Sequence, residues 1–144
     1  MNQELEALAR RAVACKGWRW MAGMRMLRPA NEESRLPMRI VQVGARQSVT
    51  NTRIGDVGFI AAHEPPGAAW CGGYERDDVP DLTDPATLGC VLALVREAWG
   101  LPACPVHSSS IWAVRANIGE WLVGFAAEHA TAAAALTSAL ASAP

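Results

Sequence analysis

The chain has 144 residues, enough for one domain with a substantial core. Hydrophobic residues make up 51% and charged residues 19%, which excludes a disordered or coiled-coil protein. A formal net charge of −1 argues against general nucleic-acid binding, because phosphate neutralisation needs an excess of Lys and Arg.

The first segment, Asn2 to Cys15, reads as a helix. Asn2 is placed to cap it, Glu4 and Glu6 suit the positive end of its dipole, and Leu5, Leu8, Ala9, Ala12 and Val13 form a stripe. No charged head with an apolar core stands at the N-terminus and no run is apolar enough to span a bilayer, so neither a leader peptide nor membrane insertion is expected. From Gly17 to Leu27 the pattern W-R-W suggests a strand with Trp18 and Trp20 on one face and Arg19 on the other. Arg28 to Pro37 reads as a loop, Met38 to Val43 as a strand and Gly44 to Gly55 as a second loop. Val57 to Ala61 reads as a short strand. His63 to Gly73, with Pro65, Pro66 and three glycines, reads as a long loop.

Pro80 to Gly100 carries the clearest helix. Asp84 is a natural N-cap, Pro85 suits the first helical position, and Gly100 with Pro102 ends the element. Leu88, Val91, Leu92, Val95 and Trp99 form the expected buried stripe. The other face carries Ala86, Gly89, Cys90 and Ala93, so a second layer or a second subunit is expected there, and a homo-oligomer with it. Leu101 to Ser110 reads as a loop. Ile111 to Ala116 and Glu120 to Phe125 then form a hairpin through Asn117, Ile118 and Gly119, and Ala126 to Ala143 ends in an Ala-rich helix with a thin apolar face of Ala132, Ala133, Leu136 and Leu140. The resulting expectation is a single α+β domain over 1–144: an antiparallel sheet packed with helices, in the order helix, strands, helix, β-hairpin, helix.

Several motifs resemble a known family. K-G-W-R-W-M-A-G-M spans Lys16 to Met24, and L-T-D-P-A-T-L-G-C-V-L-A-L-V-R-E-A-W-G spans Leu82 to Gly100. A W-A-V strand at Trp112, a G-E-W strand from Gly119 to Trp121, and a terminal Ala-Leu helix follow. Together they resemble the small phage and prophage proteins grouped as the phage ABA sandwich domain family. That resemblance implies an α/β sandwich and a bacteriophage origin, with the host cytoplasm as its location, and carries over no catalytic residue. One departure stands at the start of the last helix: Glu128, His129 and Thr131 occupy the place where such proteins carry an acidic stretch.

Chemistry is sparse. The acidic residues Glu75, Asp77, Asp78, Asp81 and Asp84 lack the glycine-punctuated spacing of a calcium loop and read as one helix cap with solvated neighbours. Cys104 and His107, with Cys71 or Cys90, provide only half of a zinc spacing. Four cysteines without paired spacing are expected to be reduced. His63, His107 and Ser108 to Ser110 form no recognisable nucleophile motif, so no catalytic residue, metal or cofactor is expected.

What remains is six tryptophans, and arginine used almost to the exclusion of lysine, Lys16 being the single one. Aromatic faces and guanidinium forks together hold nucleobases and phosphates. Arg19, Arg46, Arg53, Arg76 and Arg115 are the candidate phosphate contacts, and Trp18, Trp70 and Trp112 the candidate stacking partners. The expected function is a non-enzymatic phage binding protein that sequesters a nucleotide-derived host immune signal. A protein-interaction inhibitor of a host enzyme, a small nucleotide hydrolase and a virion component are the competing readings.

Overall fold

The computed structural model describes residues 3–31, 34–44, 58–63, 69–72, 76–100, 103–108, 111–118 and 121–143. The class is α+β. The chain divides into two compact units, Met1–Arg19 with Leu82–Pro144, and Trp20–Asp81.

The first unit holds the helices α1 (Gln3–Val13), α2 (Pro85–Trp99) and α3 (Ala132–Ala141), and the strands β6 (Ala103–Ser108), β7 (Ile111–Ile118) and β8 (Trp121–His129). Its three strands form an antiparallel sheet in the order β6-β7-β8. The Leu101 to Ser110 segment is therefore a strand over most of its length rather than a loop. Pro105 is tolerated because β6 lies at a sheet edge, where a missing N–H need not break a ladder bond. Strand β8 runs on to His129, four residues past the expected Phe125, and α3 begins at Ala132.

The start of α2 is fixed by side-chain chemistry. Asp84 accepts hydrogen bonds from the Thr87 backbone N–H and from Thr87 Oγ1, both at 2.8 Å. Both residues are buried, so this cap forms out of water. At the other end Gly100 adopts φ 63°, the left-handed conformation that glycine enters without penalty, and its N–H bonds back to Glu97 at 3.1 Å. The face turned inward is Thr87, Val91, Leu94 and Val95. It is rotated from the expected stripe, since Leu88, Leu92 and Trp99 are only half-buried. On the small-residue face Ala86 and Gly89 are exposed, and Cys90 and Ala93 half-buried. Among the described residues, nothing lies within 4 Å of the point where a Gly89 side chain would begin.

Helix α3 departs most from expectation. Instead of one thin face, it buries Ala133, Ala135, Leu136, Thr137, Ala139 and Leu140, packing against α1 and α2 and against all three strands of the sheet. Alanine makes this enclosure possible, because short side chains let neighbouring backbones approach closely. The Trp99 indole N–H donates to the Ala139 carbonyl at 2.9 Å and ties α2 to α3. Thr131 caps α3, its hydroxyl accepting from the Ala134 N–H at 3.1 Å. A hydroxyl therefore does the capping at the start of α3.

The second unit is a five-stranded antiparallel sheet in the order β4-β3-β2-β1-β5, with β1 Arg25–Pro29, β2 Arg35–Gly44, β3 Gly58–His63, β4 Ala69–Gly72 and β5 Val79–Pro80. Trp18 and Trp20 do not share a strand. The chain turns after α1 and again at Ala22 and Gly23, where Gly23 takes φ 95°, and β1 begins only at Arg25. The expected loops Arg28 to Pro37 and His63 to Gly73 contain strand as well: β1 reaches Pro29, β2 starts at Arg35, and β4 occupies Ala69–Gly72. Pro37 fits inside β2 because the β3 register begins one residue later, at Met38 opposite His63. Met24, Met26, Met38, Ile40 and Val79 form the buried core, with Trp20.

Two ion pairs hold this unit together. Arg28 grips Asp78 with a two-pronged contact, Nε to Oδ1 at 2.9 Å and Nη2 to Oδ2 at 2.6 Å, the Asp78 side chain being wholly buried. Arg25 reaches Asp81 at 3.2 Å. Asp78 and Asp81 are thus buried ion-pair partners rather than solvated residues. Removing one partner from a buried pair costs about 3–5 kcal/mol, because the other charge is stranded.

Thr137 carries the one buried hydroxyl among the described residues that finds no hydrogen-bond partner, in the most enclosed helix of the chain. Its desolvation is therefore uncompensated. Replacing Thr137 by Val keeps the shape and removes the hydroxyl, and is expected to stabilise the protein by about 1–2 kcal/mol. Urea unfolding of the two proteins side by side measures this. A loss of stability on Thr137→Val would show that the hydroxyl is satisfied after all.

Candidate functional site

The segment after α1 is where predicted site residues meet. The chain leaves the helix through tight turns, Cys15 N–H to Ala12 at 3.1 Å and Trp18 N–H to Cys15 at 2.9 Å. It then passes close over α2 and α3. A Cβ at Gly17 would lie 3.4 Å from Leu140 Cδ1 and 3.6 Å from Ala98 Cβ, in van der Waals contact with both helices. Alongside opens a cleft of about 280 Å³, lined by Lys16, Gly17, Trp18 and Arg19 from this segment and by Leu94, Glu97 and Ala98 from α2. The three α2 residues are spaced i, i+3 and i+4 and share one helix face.

Its walls are apolar and its rim is charged. Leu94 is buried, Gly17 and Ala98 half-buried, and Trp18 is half-buried with its indole nitrogen inside. Lys16, Arg19 and Glu97 are exposed. Arg19 and Glu97 form a paired fork, Nη1 to Oε1 at 2.9 Å and Nη2 to Oε2 at 2.5 Å. This contact holds the Glu97 carboxyl below the usual glutamate range and raises the Arg19 guanidinium further. A cleft lined by a guanidinium and an indole is chemically suited to an oxyanion attached to a planar ring.

Among the described lining residues, Trp18 and Arg19 are the sequence candidates. Trp112 is half-buried on β7, opposite His107 on β6 and His129 on β8. Arg115 stands on the same strand, between Cys104 and Gly124 in register. Trp70 belongs to β4 and Arg76 to the exposed turn before β5, both in the second unit. Arg46 and Arg53 lie outside the described residues. His63 ends β3 and His107 lies in β6, in different units. Among the described residues no three His, Cys, Asp or Glu gather as metal ligands, and no helix is long and apolar enough to cross a membrane.

Lys16, Gly17, Leu94, Glu97 and Ala98 are the lining residues that the sequence reading left out. Lys16 carries a signal, being the single lysine and standing directly before Gly-Trp-Arg. Glu97 carries none, since its partner is 78 positions away.

No family model matches the chain, nor does any curated protein or solved structure.

Glu97 gives a direct test of the fork. Its folded-state pKa is depressed, so its small contribution to stability is present above the unfolded-state value and is lost as pH falls through the folded one. In a carboxyl NMR titration Glu97 is expected to titrate below an ordinary glutamate and to return to the ordinary range in Arg19→Gln. An unchanged Glu97 titration in that variant would show that the fork does not persist in solution.

Proposed function

We propose that this chain is a non-enzymatic binding protein whose cleft at Lys16 to Arg19 takes a small anionic ligand bearing a planar ring. The observation that carries the reading is that Lys16, Trp18 and Arg19 line one cleft. An apolar wall with a few converging polar groups is the usual composition of a small-molecule site. The volume bears on the ligand's size. Ligand sites commonly run from about 300 to 1,000 Å³, and a cleft of about 280 Å³ suits a mononucleotide or something smaller. In the phage setting suggested by the Lys16 to Met24 and Leu82 to Gly100 motifs, the role that follows is sequestration of a nucleotide-derived immune signal in the host cytoplasm.

A panel of mononucleotides, cyclic nucleotides and ADP-ribose derivatives in a thermal-shift assay tests this. A ligand at a hundredfold excess over its dissociation constant adds roughly 2.7 kcal/mol to the native state. The expected outcome is a raised melting temperature for compounds of mononucleotide size, with the compound recovered unaltered. Recovery of an altered compound would favour a hydrolase, and a flat panel would remove the small-molecule reading.

The exposed Ala86 and Gly89 on α2 favour a second reading, a contact through that face with another copy or with a host protein. If copies meet there, Gly89→Leu is expected to reduce the particle mass in light scattering. An unchanged mass, or a monomeric wild type, removes self-assembly through that face.

A further inference from the structure

Glu97 is an odd residue for its position. It sits in the last turn of α2, where the negative end of the helix dipole disfavours a carboxylate, while Arg96 beside it is the charge that end prefers. It therefore contributes nothing favourable to its own helix. What holds it is Arg19, through two parallel hydrogen bonds. Those two donors form the edge by which a guanidinium grips a phosphate or a carboxylate.

We propose that Glu97 is a built-in competitor for the cleft: its carboxylate occupies the oxyanion position on Arg19, and the ligand enters by displacing it. This inference rests on the binding reading above and specifies how the site is gated. The exposures suit such an exchange. The Arg19 and Glu97 side chains are 49% and 61% exposed, so a displaced Glu97 swings into water and no charge is left buried and unpaired. Charge balance points the same way. With Glu97 engaged, the rim carries Lys16 and Arg19 against one carboxylate, whereas an oxyanion ligand that expels Glu97 meets both cations. The device sets a threshold. A neutral ring gains only the Trp18 wall and leaves the fork closed, while a ring bearing a phosphate or carboxylate opens it. Selection is thus for the charged group and not for the ring alone.

The experiment uses the full chain with AMP, adenosine, inorganic phosphate and benzoate as probes, read by calorimetry and by Trp fluorescence. AMP and benzoate distinguish a phosphate from a carboxylate source, and adenosine removes the charge. Glu97→Gln keeps the size and helix propensity of the residue and is expected to tighten AMP or benzoate by up to about fivefold, the range of an exposed paired charge. Adenosine binding is expected to stay unchanged in that variant. Arg19→Gln is expected to weaken the discrimination between AMP and adenosine, with Lys16 left as the remaining cation. If the wild type binds AMP or benzoate and Glu97→Gln binds it equally or more weakly, Glu97 is not a competitor and the inference falls while the binding reading stands. If neither wild type nor Glu97→Gln binds any of the four probes, the binding reading falls with it. Melting temperatures of the variants within a few degrees of wild type confirm that both fold.

Discussion

The first unit depends on how closely backbones can approach a helix made mostly of alanine. Helix α3 has little side chain to bury, yet it is enclosed by α1, α2 and the β6-β7-β8 sheet. Its stability cannot come from large apolar area per residue. It comes from the number of neighbours that short side chains admit, together with contacts such as the Trp99 indole N–H on the Ala139 carbonyl. The segment after α1 runs within van der Waals reach of Ala98 and Leu140, and Lys16, Trp18 and Arg19 line one cleft with Leu94 and Glu97.

Local chemistry was legible in the sequence and long-range pairing was not. Asp84, Pro85 and Gly100 mark the ends of α2 because capping, a missing N–H and a left-handed terminus are all decided within a few residues. The hairpin formed by β7 and β8 was legible for the same reason, from alternation around a turn. The W-R-W pattern misled because alternation is equally the trace of a turn that buries one Trp and half-buries another. Strand β6 was hidden by Pro105, which signals a loop unless the strand is known to lie at an edge. Asp78 and Asp81 were read as solvated because their partners, Arg28 and Arg25, are 50 and 56 positions away. Only the sheet brings them together.

The preference for arginine over lysine has a structural use. Arg28 holds Asp78, and Arg19 holds Glu97, each by two hydrogen bonds from one planar group. Arg39 and Arg35 donate to the Gly23 and Asp77 carbonyls. A lysine ammonium offers no such fork, so these contacts would lose their geometry as well as one of their bonds. The same chemistry serves two ends that differ in burial. Around Arg28 and Asp78 the fork is shut away from water and is structural. Around Arg19 and Glu97 it faces solvent and can be exchanged.

That difference narrows the functional question. Five arginines and three tryptophans suggested a phosphate-binding surface of considerable extent. The structure gathers Arg19 and Trp18 into one small cleft, places Arg76 and Trp70 in the other unit, and leaves Trp112 half-buried on a strand. A ligand with two phosphates and two rings needs more contacts than such a cleft presents. Under the proposed binding reading, a single oxyanion on a single ring would engage three of the lining residues: Trp18 for the ring, Arg19 for the anion and Lys16 for its remaining charge. The size of the cleft suits that reading at the mononucleotide end of the range better than at ADP-ribose and its larger derivatives.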